Sequence, residues 1–298
     1  MPDIVEIEDD ETISFEEFLH LFKDLNLPRN KSECMLQSAS IFKKLSNNKT
    51  FLPDLILSDL AQNCASQSES NYTAQIFMLG RISSHYHMRA NIWPSRQDSI
   101  LEDSGEDLFA YELPHDHNFS FLTTNYWGPG YESDFYEYGS PPVGFAGEEV
   151  DLRFIGRRQL KSGQIALYRA HIDIHRQLPP PSLSITLNIM EGSPETMFKK
   201  QLIFDRSCSM VSKVTSHNSS PALFDLCASL SGERAADILM YISRNHPDDL
   251  IRFQALKAAG LATGSTNEAA RLMNSALVDA PFGLSGWVRA YLAELDTL

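Results

Sequence analysis

Two short histidine clusters constrain what this chain can fold into more than any other feature of its sequence. His115 and His117 form the first cluster and His171 and His175 form the second, so two short segments hold four of the nine histidines. Residues at i and i+2 of a strand point to the same face of a sheet. His115 and His117 would therefore aim two imidazoles at one point, where a histidine from a neighbouring strand would complete a set of three nitrogens.

Such a set of nitrogens predicts a catalytic metal centre. Imidazole binds iron, zinc, copper and nickel, and three protein ligands leave coordination positions open for substrate, water or dioxygen. On one continuous strand, His171, Asp173 and His175 would share a face, and any of the three could reach the metal. His85 and His87 form a competing pair at the junction of the helical and strand regions, where a structural role is the simpler interpretation.

Composition limits the partners and the compartment. A chain of 298 residues predicts two or three structural units. The formal charge of −14 argues against nucleic acid and anionic membranes, because phosphate groups are bound by clustered lysine and arginine. The sequence shows no transmembrane-length apolar run, no signal-peptide pattern and no CxxC pair among its four cysteines. We therefore expect a cytoplasmic protein with neither a nucleic-acid nor a membrane partner.

Residues 1–84 are predicted to form a helical segment that packs on the next domain. Ser14 and Glu17 have the spacing of a capping box, and Ile13 with Phe18 supplies the matching hydrophobic staple. Proline and polar residues separate the helical patterns that follow. Further helices are predicted over Lys31–Leu45, Leu55–Cys64 and Ala74–Arg81, and a solvated acidic tail over Glu6–Glu11.

Residues 85–205 are predicted to form a β domain. Short β-rich runs recur between turns rich in glycine and proline, such as Gly128–Gly130, and this pattern is typical of an antiparallel barrel or a double sheet. The predicted strands are Met88–Trp93, Phe119–Tyr126, Asp134–Tyr138, Val150–Gly156, Ile165–Ile174, Leu183–Met190 and Lys199–Phe204.

Residues 216–298 are predicted to be helical again. The stretch 246–259 resembles a HEAT-type repeat helix, and pairs of such helices stack into a short solenoid, with a plain helical bundle as the alternative. Either arrangement would offer a surface to a protein partner. The predicted helices cover Ala222–Leu230, Glu233–Arg244, Leu250–Leu261, Asn267–Asp279 and Leu284–Leu295.

From about Met88 to Ile189 the chain resembles the cupin superfamily, and within it the three-histidine iron dioxygenases of the cysteine dioxygenase type. The run His115-Asp116-His117 matches that family's first ligand pair, which is also His-Asp-His. The strand that begins at Gln164 resembles the entry to the second cupin motif, and Pro181–Ser184 resembles the proline-containing entry to a later strand. The resemblance implies an α+β fold in which a cupin-like antiparallel β-barrel, or double-stranded β-helix, is flanked by N-terminal and C-terminal helical segments.

The resemblance also implies a set of site residues. Continuing the strand from Gln164 without a gap places His175 at the family's third ligand, so His115, His117 and His175 would bind Fe(II), with zinc, manganese or nickel as alternatives. Arg89 lies about as far upstream as the arginine that holds the substrate carboxylate in the family, and a salt bridge within an acidic protein is its ordinary alternative.

The chain departs from the family at several positions. Phe121 and Leu122 stand where the general cupin pattern has a glutamate, which favours a site of three histidines, and Glu132 is the nearest downstream carboxylate. Leu122 also replaces the family's cysteine. The family's Ser-His-Tyr series on the last strand is matched by Ser184, Thr186 and Asn188. These departures do not favour cysteine itself as the substrate.

Three functional hypotheses follow. The first is a mononuclear non-haem iron(II)-dependent oxygenase that uses dioxygen on a small amino-acid-like or peptide substrate. The second is a metal-dependent cupin isomerase, hydrolase or lyase in which zinc, manganese or nickel acts as a Lewis acid. The third is a non-catalytic scaffold in which the C-terminal helices bind a protein and the cupin is degenerate. We also expect the flanking helices to cover the barrel, with at least one forming a wall near the mouth of the pocket. The alternative is that the helices only stabilise the barrel or build a dimer.

Overall fold

The structure is a computed structural model that describes residues 1–28, 31–67, 73, 75–192, 196, 199–215, 220–246, 248–278 and 282–295. The chain divides into two compact units, Met1–Thr196 with Lys200–Thr215 and Met197–Lys199 with Ser216–Leu298. All described strands lie in the first unit. The first unit extends to Thr215, beyond residue 205, where the β domain was predicted to end. The helical segment was predicted to start at residue 216, which lies outside the described residues.

The described strands of the first unit all pair in antiparallel fashion. Their bounds are β1 Asp3–Glu6, β2 Ile76–Arg81, β3 Tyr86–Trp93, β4 Phe121–Trp127, β5 Glu132–Tyr138, β6 Leu152–Gln159, β7 Gln164–Tyr168, β8 Ile174–Leu178, β9 Ser184–Glu191, β10 Gln201–Phe204 and β11 Val211–Thr215. One sheet has six strands in the order β1-β7-β4-β9-β3-β2, a second has the order β6-β5-β8, and β10 pairs with β11. With the helices, these sheets confirm the α+β class, while the cupin-like barrel stays a prediction.

The six-stranded sheet has one apolar face and one mixed face. Successive residues of a strand point to opposite faces, so Met88, Ala90 and Leu122 share the outer face with Leu187 and Ile189, and all five are buried in one apolar cluster. The opposite, inner face packs through a separate cluster against the second sheet. That cluster contains Phe121, Phe135, Leu160, Ala166, Tyr168 and Met190. The polar residues of the candidate site lie on this inner face.

Helices from the N-terminal segment cover the outer face. They are α1 Phe15–Asp24, α2 Ala39–Asn47 and α3 Phe51–Ala61, with a 3₁₀ helix at Ser32–Ser38 before α2. Ser14 is the N-cap of α1, because its hydroxyl accepts a hydrogen bond from the Glu17 N–H at 3.1 Å, which is one of the two bonds of the predicted capping box. Phe18 and Phe22 of α1 are buried in the same cluster as Leu122. Burying such phenylalanines contributes about 1.5–3 kcal/mol each, so the helices stabilise the sheet on the face away from the histidines.

The second sheet continues through His115. The backbone of His115 pairs with His175 of β8 on one side and with Ile203 of β10 on the other. The segment around His115 therefore lies between β8 and the β10–β11 hairpin. Phe135 pairs directly with His175 across β5 and β8, so both point to the inner face. The short connections α4 Ser99–Ser104 and a 3₁₀ helix at Glu106–Phe109 lead the chain from β3 to this segment.

Three sequence predictions differ from the structure, and the sequence did not predict one further strand. The predicted strand Ile165–Ile174 is two strands, β7 and β8, separated by a turn in which His171 has φ of +60°. The predicted helix Ala74–Arg81 is strand β2 from Ile76 onward, because a short apolar run does not distinguish a helix from a buried strand. The acidic tail is ordered at its start, where β1 pairs with β7. Strand β11 was not predicted.

The second unit is helical. Its described helices are α5 Ser220–Ser231, α6 Glu233–Asn245, α7 Asp249–Ala262, α8 Thr266–Ala276 and α9 Phe282–Leu295. Asp248 begins α7 by accepting the Ile251 N–H at 2.9 Å, and Ser265 begins α8 by accepting the Glu268 N–H. The predicted end of the fourth C-terminal helix, Asp279, lies outside the described residues. Within the part of the chain that the structure describes, none of the helices combines the length and apolar character needed to cross a membrane.

Candidate metal centre

The sheet backbone places His115 directly opposite His175. The His115 N–H donates to the His175 carbonyl at 2.9 Å, and the His175 N–H donates to the His115 carbonyl at 3.0 Å. Residues that exchange both bonds in an antiparallel pair carry their side chains on the same face. His117, two residues after His115, joins them, with its ring centroid 4.8 Å from that of His115 and 5.1 Å from that of His175.

Three imidazole nitrogens converge on one point. The Nε2 atom of His175 lies 3.2 Å from Nε2 of His115 and 3.2 Å from Nε2 of His117. One ligand atom from each of the three histidines lies within 4.8 Å of the others. The structure thus brings together the three residues that were predicted as metal ligands, although they come from two segments 58 to 60 residues apart.

The spacing of these nitrogens fits a shared metal ion. Imidazole ligands at about 2.1 Å from a metal lie roughly 3.0 Å apart at right angles and roughly 3.4 Å apart in a tetrahedron. The two separations of 3.2 Å fall between those limits. The donor set is also chemically suitable, because neutral imidazole binds iron, zinc, copper and nickel.

The imidazoles are held in the form that binds metals. Burial lowers the pKa of His115, and it lowers the pKa of His117 and of His175 well below the ordinary value of 6.5. Charge repulsion from His115 further lowers the pKa of His117 and of His175. The positive charge of Arg89 further lowers the pKa of His115 and of His117. All three side chains are therefore uncharged at neutral pH. The Nδ1 of His115 lies 2.8 Å from the Leu113 carbonyl, so Nδ1 carries the proton and Nε2 keeps its lone pair.

His171 lies outside the cluster. Its backbone N–H donates to the His117 carbonyl at 2.9 Å, but its side chain is 39% exposed and its Nδ1 lies 3.3 Å from an Asp116 carboxylate oxygen. Asp116 is buried and also accepts the Leu202 N–H at 2.6 Å and the Tyr138 hydroxyl at 3.2 Å. Asp116 therefore holds the turn and β10 around the site, and it faces away from the three converging nitrogens.

The turn between β7 and β8 separates His171 and Asp173 from the strand that carries His175. Because the strand is interrupted, His171 and Asp173 do not share a continuous strand face with His175. The buried Asp173 carboxylate instead pairs with Arg169, whose Nε and Nη2 lie 2.9 Å from its oxygens. Among the described residues, the group that could hold a metal consists of His115, His117 and His175. It does not include His171, Asp173, His85 or His87.

Arg89 lies on the inner face of the six-stranded sheet. It is 7% exposed, and its guanidinium carbon lies 6.0 Å from the centroid of the Phe119 ring. Arg89 of β3 pairs with Asn188 of β9, and Asn188 pairs with Thr123 of β4 on its other side. The three side chains therefore form a polar row across the sheet. The structure therefore places Arg89 with other buried polar groups, near enough to the histidines to influence their charge.

Buried oxygens without partners accompany this row. Asn91 Oδ1, Thr123 Oγ1 and Asn125 Oδ1 are inaccessible to solvent and have no hydrogen-bond partner among the described residues. These residues lie on the inner face, since Asn91 and Asn125 both stand beside Thr186. Buried polar atoms without partners are rare and commonly mark the site of a water or a ligand. The inner face thus presents several acceptors to whatever occupies it.

Sequence reasoning missed two residues of the site. Gln177 places its Nε2 2.9 Å from Nε2 of His175, and the Tyr168 ring centroid lies 4.8 Å from that of His175. The His-x-Gln spacing puts Gln177 on the same strand face as His175, a signal that the sequence contains. Glu132, the nearest downstream carboxylate, is not part of the centre, because its half-exposed side chain lies 3.9 Å from Arg157.

No protein-family model matches the chain, and no curated protein matches it. Among solved structures, it is similar to the DMSP lyase DddQ from Ruegeria pomeroyi DSS-3, with 14% identity over 43% of this chain and 50% of that chain and a TM-score of 0.24. A structure from the DMSP lyases RdDddP and RnDddQII gives 14% identity over 40% of this chain and 47% of that one, also with a TM-score of 0.24.

A third similar structure comes from the prolyl 4-hydroxylases of Phytophthora capsici, with 12% identity over 84% of this chain and 75% of that chain and a TM-score of 0.23. The chain spans about half the length of the two lyase chains. TM-scores this low carry no argument about function, so the interpretation of the site depends on its own geometry.

Proposed function

We propose that the chain is a mononuclear non-haem iron(II)-dependent oxygenase with a cupin-like β domain, which uses dioxygen on a small amino-acid-like or peptide substrate. The observation that carries the proposal is the convergence of three neutral imidazoles on one buried point. In this proposal His115, His117 and His175 hold the metal. When bound, iron(II) supplies redox chemistry with dioxygen and an electrophilic contact for the substrate.

The protein's own groups have separate tasks in this proposal. The backbone pairing of His115 with His175 fixes two ligands before any metal binds, which limits the reorganisation that binding requires. Desolvation lowers the pKa of His117 and His175, which favours their unprotonated form. Arg89 offers a fixed positive charge in a buried setting, where a bidentate pair with a substrate carboxylate is strong.

The polar row on the inner face supports a small polar substrate. The acceptor oxygens of Asn91, Thr123 and Asn125 match N–H or O–H donors on a ligand. An amino acid or a short peptide carries such donors together with a carboxylate for Arg89. Apolar substrates would leave these buried oxygens without hydrogen bonds, at a cost of about 1–3 kcal/mol for each.

Metal analysis tests the proposal most directly. Protein purified without a polyhistidine tag and loaded with iron(II) under anaerobic conditions is expected to hold about one iron per chain, and His117→Ala is expected to lose it. A folded His117→Ala variant with unchanged iron content would overturn the assignment. Wild-type protein that binds no metal would favour the scaffold hypothesis, in which the C-terminal helices bind a protein partner.

Oxygen consumption separates the oxygenase from the isomerase, hydrolase or lyase alternatives. We expect candidate amino acids and short peptides to accelerate dioxygen uptake by the iron-loaded protein, with no acceleration in Arg89→Met. Conversion of a substrate without dioxygen uptake, equally supported by zinc, manganese or nickel, would replace the oxygenase by one of those alternatives.

A further inference from the structure

Gln177 stands beside the three histidines on a rigid part of the sheet. It lies in β8 two residues after His175, and its backbone pairs with Ser133 of β5. On the other side, its carbonyl accepts the Glu112 N–H at 2.9 Å. The side chain is 5% exposed. Gln177 therefore enters the site from a strand that is hydrogen-bonded on both edges, which is the kind of support that precise metal ligands need.

The amide end of Gln177 belongs to the cluster of converging nitrogens. Its Nε2 lies 2.9 Å from His175 Nε2, the atom that is 3.2 Å from both other imidazoles. Its Oε1 is buried and has no hydrogen-bond partner among the described residues. The amide nitrogen of Gln177 therefore contacts the histidine cluster. The amide oxygen is buried and accepts no hydrogen bond from the described residues.

We propose that Gln177 is a fourth protein ligand of the metal centre, binding through its side-chain oxygen to give a site of three imidazoles and one amide. This inference rests on the proposed metal site. The separation of 2.9 Å between the amide and His175 Nε2 is close to the roughly 3.0 Å expected for two ligand atoms at right angles around one ion. Amide carbonyls are accepted ligands of divalent cations.

The charge of a bound cation favours the oxygen over the nitrogen. With the His175 lone pair committed to a metal, the Gln177 N–H group would lose its acceptor and would point its positive end at a cation. Rotating the terminal amide by half a turn exchanges oxygen and nitrogen at almost no steric cost. That rotation turns the buried Oε1 toward the ion and removes its unsatisfied state.

A neutral fourth ligand has a chemical consequence. The site then retains the full charge of the cation, whereas a carboxylate at this position would halve the net charge of a divalent ion. A more positive centre attracts anionic substrate groups more strongly. Gln177 would therefore distinguish this site from one with a carboxylate ligand.

Cobalt(II) alone is the probe that tests the role of Gln177. Metal-free full-length wild type, Gln177→Leu and Gln177→Glu would be titrated with cobalt(II), with affinity and visible absorption as readouts. We expect Gln177→Leu to weaken binding by about 10- to 100-fold and to change the absorption bands, because an oxygen ligand is lost. Gln177→Glu is nearly isosteric and is expected to bind cobalt(II) more tightly than wild type, because it supplies an anion.

Ser133→Ala is the matched control, because Ser133 is the buried cross-strand neighbour of Gln177. It is expected to keep the affinity and the spectrum of wild type. If wild type binds cobalt(II) while Gln177→Leu and Gln177→Glu retain its affinity and spectrum, Gln177 is not a ligand and the three-histidine site stands. If wild type binds no cobalt(II), the metal site itself fails. Should Gln177→Leu fail to fold, Gln177→Glu decides alone.

Discussion

His115 and His175 exchange both backbone hydrogen bonds of an antiparallel pair, at 2.9 and 3.0 Å, although 60 residues separate them. Two of the three converging imidazoles are therefore fixed by main-chain pairing rather than by side-chain contacts alone. A backbone change at either position would move one of these imidazoles directly. The pairing keeps both rings on the same face of the sheet.

Removing His115 and removing His171 are expected to give opposite results. His115→Ala deletes a converging nitrogen and should reduce bound metal by at least about tenfold at limiting metal concentration. His171→Ala removes a side chain that is 39% exposed and faces Asp116, so metal content should match that of wild type. Elemental analysis of both variants after dialysis checks the pair. Equal loss of metal in His171→Ala would show that the turn supplies a ligand.

Asp116→Ala is expected to destabilise the first unit without removing a ligand. The change leaves the buried Leu202 N–H and the Tyr138 hydroxyl without their acceptor, which corresponds to about 2–4 kcal/mol of unfolding free energy. Urea denaturation of metal-free protein measures the loss. Tyr138→Phe removes only one of the two donors and serves as the milder control. A stability loss below that of Tyr138→Phe would contradict the bracing role of Asp116.

Metal-free protein is expected to lose stability as the pH falls below about 6.5. Burial lowers the pKa of His117 and His175 in the folded chain, so the unfolded chain takes up protons first. The unfolding free energy should then fall with decreasing pH by about 1.4 kcal/mol per unit for each such histidine, until the folded pKa is reached. Denaturation at pH 7.5, 6.5 and 5.5 measures the slope. The variant with both residues changed to glutamine should show a shallower one.

Deleting Ser216–Leu298 tests what the second unit contributes. The first unit contains both sheets and all three histidines, so the truncated protein is expected to fold and to bind metal like the full chain. The expectation from the sequence that the flanking helices contribute to function predicts that turnover falls nevertheless. A truncated protein with full metal content and full turnover would refute that contribution.

Sequence patterns predicted which histidines converge better than they predicted the elements that carry them. His115 and His117 followed from the two-residue spacing of a strand, and a third histidine from a neighbouring strand was expected. The turn that divides the predicted strand Ile165–Ile174 was not predicted, because the segment Tyr168–Ile174 contains no glycine or proline to mark a turn. His171 adopts φ of +60° without glycine, which local sequence rules disfavour.

Long-range pairing explains the other differences. The short apolar run of β2 fits a helix or a buried strand equally well, and only its pairing with β3 decides between them. The acidic residues near the start of the chain suggested a free tail, but β1 gains backbone hydrogen bonds at the edge of β7. Gln177 was not predicted, although its two-residue spacing from His175 puts both side chains on one strand face. The sequence does not show that His115 pairs with the same strand, which brings Gln177 beside the other histidines.

The two faces of the central strands differ in character. The outer face packs in the apolar core, and the inner face carries the buried polar residues. In β3, β4 and β9, residues such as Met88, Leu122 and Ile189 pack in the apolar cluster that contains the N-terminal helices, and the residues between them lie on the inner face. A single substitution at Asn91, Thr123 or Asn188 therefore changes the lining of the site while the apolar contacts of its neighbours persist. Under the proposed function, substrate preference would therefore change through residues that do not belong to the apolar core.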